Sequence, residues 1–177
     1  KATLDVESNL AGTKITVGIL EAMFDAPADL DFDGFISFAL LDPTAADGRV
    51  LFSADDGTAG REPWTSNGTA SGTSLLADII AGSGGSEPTQ FANAGSTTYF
   101  AAQTSAAGRE PWKTLGTPGT TLLVEDIRPG SNSSSPDGLS VIDGTVYFRA
   151  DDGTNGTELW RSEGTAATTE LIVNLEA

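Results

Sequence analysis

The three tryptophans of this chain, Trp64, Trp112 and Trp160, are equally spaced, and each closes the same short motif. Gly60-Arg61-Glu62-Pro63-Trp64 returns as Gly108-Arg109-Glu110-Pro111-Trp112 and again as Gly156-Thr157-Glu158-Leu159-Trp160. A single unit of this size cannot bury its own apolar surface, so a chain with such a period folds as a succession of similar units. Solenoids, propellers and arrays are the architectures that satisfy this.

The flanks of the motif fix the kind of unit. Asp47-Gly48-Arg49-Val50-Leu51-Phe52 corresponds to Gly95-Ser96-Thr97-Thr98-Tyr99-Phe100 and to Asp143-Gly144-Thr145-Val146-Tyr147-Phe148, each a turn followed by β-favouring residues. A second turn, Asp55-Asp56-Gly57-Thr58 or Asp151-Asp152-Gly153-Thr154, precedes the Trp strand and is replaced by Thr104-Ser105-Ala106-Ala107 in the middle copy. A third turn at Asn67-Gly68-Thr69, Leu115-Gly116-Thr117 and Glu163-Gly164-Thr165 leads into the apolar strands Leu75 to Ile79, Leu123 to Ile127 and Leu171 to Leu175. Gly/Ser-rich connections ending at Pro88 and Pro136 return the chain, through segments around Phe91 and Leu139, to the next hairpin. This predicts four short strands per repeat, and therefore an all-β, propeller-like array of four-stranded antiparallel blades with a 48-residue period over residues 47–177.

Residues 1–46 read differently. They lack Trp, and positions 1–48 carry nine acids and two lysines. Gly34 stands one full period before Gly82, which fits a degenerate first repeat. Gly18 to Asp25, with Ile19, Leu20, Met23 and Phe24 on one side, fits a short helix in an N-terminal cap instead.

Twenty-five acidic against nine basic residues give a formal charge of −16, which repels nucleic acid and anionic membranes and favours cations as partners. With neither His nor Cys, imidazole bases, thiol chemistry and zinc sites built from either residue are excluded. No apolar run reaches the 18 or so residues of a membrane span. The chain opens on Lys1 rather than Met, as expected of a processed product or a piece of a longer protein.

The combination of Asp-Asp-Gly-Thr, Gly-x-Glu-Leu-Trp, x-x-x-Gly-Thr, an aliphatic strand ending in Asp-Ile, and a Pro-Gly-Ser-x-Ser-Ser-x-Pro connection resembles the ELWxxDGT repeat family. Glu158-Leu159-Trp160-Arg161-Ser162-Glu163-Gly164-Thr165 matches best, with Glu163 for Asp; the other copies carry Pro63 or Pro111 for Leu and Asn67 or Leu115 for Asp. The resemblance covers about three repeats over residues 47–177. It implies a propeller-like fold in a secreted or cell-surface bacterial protein, and it carries over no catalytic residue.

Candidate chemistry is sparse. Asp29, Asp31 and Asp33 followed by Gly34 and Ile36 match the first half of a calcium loop, in which alternating carboxylates converge and Gly permits the bend. Leu40 stands where the bidentate Glu belongs, so Asp42 or Asp25 must substitute; calcium is the candidate cofactor, and a solvated acidic turn is the alternative. Trp64, Trp112 and Trp160 are candidate sugar-stacking platforms, set against packing between blades. Glu62, Glu110 and Glu158 share the Trp face of a period-2 strand and read as repeated acceptors for backbone amides or Arg. Asp-Gly at the second turn reads as a turn former before a metal ligand, as do the sequons at Asn67, Asn132 and Asn155. The leading expectation is a non-enzymatic structural or adhesive module whose partners are other protein subunits or further repeats. A carbohydrate-binding propeller lectin and an accessory domain of an extracellular hydrolase are the alternatives.

Overall fold

The computed structural model describes residues 49–175 and the backbone of the strand Phe38–Leu40. The chain is all-β, with three four-stranded antiparallel sheets that each follow chain order. Sheet I holds β1 (Phe38–Leu40), β2 (Val50–Asp55), β3 (Arg61–Ser66) and β4 (Ser74–Leu75). Sheet II holds β5 (Thr89–Ala94), β6 (Thr97–Thr104), β7 (Gly108–Thr114) and β8 (Leu122–Leu123). Sheet III holds β9 (Asp137–Ile142), β10 (Thr145–Asp151), β11 (Thr157–Ser162) and β12 (Glu170–Val173). Among the described residues the sheets form an open succession and not a closed ring.

The turn chemistry acts as its residues dictate. Asp143 and Gly144, with φ of 50° and 81°, close the two-residue hairpin between β9 and β10, the left-handed pair that matches strand twist. At the second turn Asp56 Oδ1 accepts from the amides of Thr58 and Ala59 at 2.9 and 2.8 Å, and Asp152 Oδ1 from those of Thr154 and Asn155 at 2.8 and 2.7 Å. These bonds hold both carboxyls below the usual carboxylate range. At the third turn the hydroxyls of Ser66, Thr114 and Ser162 accept from the amides of Gly68, Gly116 and Gly164 at 3.0, 3.1 and 2.9 Å.

The core lies between sheets. Phe52, Phe100 and Phe148 are fully buried at one repeat position, each worth about 1.5–3 kcal/mol over an exposed ring. Tyr99, Val124 and Ile127 of sheet II and its outgoing chain pack with Val146, Phe148 and Ala150 of sheet III. Leu51 and Leu76 pack with Phe91 in the same way between sheets I and II. Among the first strands, β5 adjoins both β1 and β9. Gln90 of β5, held at φ 61° in a bulge, donates to Asp137 Oδ1 and accepts from the amide of Gly138, its own counterpart one repeat on.

Two details depart from the sequence reading. The apolar fourth strand is much shorter than Leu75 to Ile79. Pairing ends at Leu75, the Leu76 amide still reaches the Pro63 carbonyl at 2.9 Å, and the chain then turns away towards Glu62. The period is also interrupted upstream. Leu51 and Tyr99 are exact counterparts one repeat apart, yet their partners on the first strands, Ala39 and Ala92, are separated by more than one repeat. The extra residues fall in the first hairpin, between Leu40 and Val50. Gly34 itself, and with it the choice between a degenerate first repeat and a cap, lies outside the described residues. Sheet I also takes its first strand from upstream of residue 47.

Candidate functional site

The repeated motif sits where each Trp strand meets the connection that leaves its sheet. Gly60 has φ +69° and Gly108 φ +67°, and a Cβ on either would collide with backbone of the connection: 2.7 Å from the Gly84 carbonyl carbon, or 2.4 Å from the Asn132 carbonyl oxygen. Only glycine satisfies both the backbone angle and the close approach.

That approach places the glutamate. Glu62 Oε1 accepts from the amides of Ile80 and Ser86, both at 3.1 Å, and its Oε2 accepts from Ser86 Oγ at 2.5 Å. Glu110 repeats this: Oε2 accepts from the Ile127 amide at 3.1 Å and Ser134 Oγ at 2.5 Å, and Oε1 from the Ser134 amide at 2.7 Å. Glu158 Oε1 accepts from the Leu175 amide at 3.0 Å. Burial raises the Glu62 carboxyl above its usual range and pushes Glu110 up to about 7, with the serine and amide donors opposing the shift. Both side chains are fully buried.

The serine faces forward as well as back. The Ser86 carbonyl accepts from the Gln103 amide of β6 at 2.8 Å, and the Ser134 carbonyl from the Asp151 amide of β10 at 2.9 Å. One residue thus joins the glutamate of one sheet to the second strand of the next. Arg128 adds a forward ion pair to Asp151 at 2.7 Å. Sequence reasoning identified the glutamate as an acceptor of backbone amides but missed Ser86 and Ser134. The available signal was a constant Glu-to-Ser spacing, the same from Glu62 to Ser86 as from Glu110 to Ser134.

The tryptophans stand half-buried opposite the buried phenylalanines, in the pairs Trp64 with Phe52, Trp112 with Phe100 and Trp160 with Phe148. Trp160 packs against the core between sheets II and III and donates from Nε1 to the Ala150 carbonyl at 3.1 Å. The Nε1 atoms of Trp64 and Trp112 are buried and meet no acceptor among the described residues.

Asp29, Asp31, Asp33, Asp42, their alternate Asp25 and the segment Gly18 to Asp25, expected as a short helix, lie outside the described residues. Among the described residues no cluster of three or more carboxylates is arranged to hold a metal ion. Thr145, Arg161, Glu163, Ala167, Thr168 and Glu170 line a polar cleft of about 210 Å³ at the rim of sheet III, crossed by an Arg161 to Glu170 ion pair. No helix of the described residues is long and apolar enough to cross a membrane. Comparison with protein-family models and with curated proteins finds no match to this chain.

Proposed function

We propose that the chain is a non-enzymatic structural or adhesive repeat module of a bacterial surface or extracellular assembly, built as a propeller-like array. The observation that carries this reading is the state of the repeated glutamates. Glu62 and Glu110 sit in the motif that recurs most faithfully, and their hydrogen bonds go to amides and a serine of the chain's own connection. A buried carboxylate saturated in this way fastens a fold and is poorly placed to exchange protons with a substrate. The resemblance to the ELWxxDGT repeats supports the extracellular setting, and adjacency of β5 to both β1 and β9 supports the propeller-like arrangement. Calcium, held by Asp29, Asp31, Asp33 and Asp42, is the proposed stabilising ion on the strength of their spacing alone.

The test is binding of the purified chain to itself and to bacterial envelope fractions, with calcium at millimolar levels and with chelator. Association or envelope binding is expected. A monomer that binds neither under either condition would sink the reading. Sugar-dependent quenching of tryptophan fluorescence on glycan screening would move it to the lectin class instead.

A further inference from the structure

The face of sheet III that points away from sheet II repeats the chemistry of a face that is covered everywhere else. Tyr99 of sheet II, 3% exposed, touches sheet III at the third turn, where a Cβ on Gly164 would lie 2.7 Å from its hydroxyl. Its counterpart in sheet III is Tyr147. Leu76 and Val124 are 2% and 4% exposed beneath the following sheet, whereas Ile172 at the same position is 43% exposed. Ile127 is 6% exposed and its counterpart Leu175 is 76% exposed; Pro111 is buried where Leu159 is exposed. The positions stay apolar, and their cover is missing among the described residues.

The charged residues of this face follow the same plan. In sheet II the Arg109 guanidinium reaches across to the Thr89 hydroxyl and to the carbonyls of Glu87 and Ala101, at 2.9 and 3.3 Å for the carbonyls. In sheet III the counterpart of Arg109 is Thr157, and Arg149 replaces Ala101. Arg149 pairs with Asp137, the counterpart of Thr89. A guanidinium therefore covers the same spot on the first strand, delivered from the neighbouring strand. Arg161 likewise replaces Lys113, which in sheet II lies against Gly164 under the third turn of sheet III. The outgoing chain starts on the same course too, because Leu175 is bound to Glu158 as Ile127 is to Glu110.

We infer that the open face of sheet III, centred on Tyr147, Leu159 and Ile172, is a docking surface for one further sheet of the same repeat. That sheet would present a buried phenylalanine face and a Gly-Thr turn, as sheet III presents Phe148 and Gly164 to sheet II. A second copy of the chain is a poorer occupant, since Phe52 and Ala54, on the side of sheet I that it would have to offer, are already buried. The proposal gives the structural reading above a partner and rests on it.

The test is a chain extended after Ala177 by a copy of residues 82–129, which continues the period in phase and leaves every sheet III peptide unique. Hydroxyl-radical labelling of Tyr147, Leu159 and Ile172 should fall at least five-fold in the extended chain. Ile172→Glu should restore labelling of Tyr147 and Leu159 there while leaving the melting temperature of the parent chain unchanged within error. Undiminished labelling in the extended chain overturns the proposal. Concentration-dependent protection of the same residues in the unextended chain also overturns it, in favour of a second copy. Either outcome leaves envelope binding to be judged separately by its own assay.

Discussion

Sheets II and III contain the same strands and Trp-Phe pairs, yet β6 is buried on both faces through Thr98 to Ala102 while β10 alternates buried Val146, Phe148 and Ala150 with half-buried Tyr147 and exposed Arg149. The difference lies in what stands next to each sheet. The internal fittings of the unit, such as the hydroxyl that closes the third turn, are present in both. Local wiring is thus a property of each repeat, and burial is a property of the succession.

The comparison can be broken at several points. Gly108→Ala should do most damage, more than about 3 kcal/mol, because a methyl meets Asn132 backbone at 2.4 Å from a left-handed residue. Gly144→Ala, with the same sign of φ but open space around it, should cost only about 1 kcal/mol in the same denaturant titration. Glu110→Ala strands three donors and should cost about 3 kcal/mol, with Glu110→Gln costing less since it keeps an acceptor and the volume.

The pH dependence sharpens the role of the same residue. The Glu110 carboxyl is raised from 4.5 to about 7 in the fold, so the folded state holds its proton more tightly than the unfolded chain does. Its contribution is complete below about pH 4.5 and is lost as pH rises to about 7, a fall on the order of 3 kcal/mol. Glu62, raised for the same reason, acts in the same direction. Asp56 and Asp152 act in the opposite one, losing their amide bonds as acid protonates them below the usual carboxylate range. Thermal melts between pH 4 and 8 should therefore show stability declining between about pH 4.5 and 7 and levelling off above, and Glu110→Gln should flatten that decline. A pH-independent melt would rule out the raised carboxyls. The smallest contrast is between the sheets themselves: Val124→Ala should cost about 2 kcal/mol and Ile172→Ala less than about 1. Equal losses would mean that sheet III is covered in solution.

Much of this was legible in the sequence because it is local. Asp-Gly turns, β-favouring runs and the alternation that places Glu and Trp on one strand face need only a few neighbouring residues. The period needs only counting. What escaped depends on contacts between distant positions. Ser86 is one serine in a Gly/Ser-rich stretch, and nothing adjacent distinguishes it from Ser83; only the fold brings it to Glu62. The early end of β4 follows from the same contact, since a chain bound to Glu62 cannot also continue along β3. The interrupted phase before Val50 was hidden because the first strand Phe38–Leu40 carries no motif residue.

The forward and backward bonds of Ser134 bear on how the array comes apart. A residue held at once by Glu110 and by the Asp151 amide belongs to two sheets, so sheets II and III do not meet at a seam along which either can be released intact. Unfolding that starts in sheet III must break the fastening that organises the connection of sheet II, and damage there loosens both neighbours. In a linear array, such a shared residue places the coupling free energy between units in the connections as well as in the packed faces. Cooperative melting of several sheets together then follows from a few buried hydrogen bonds.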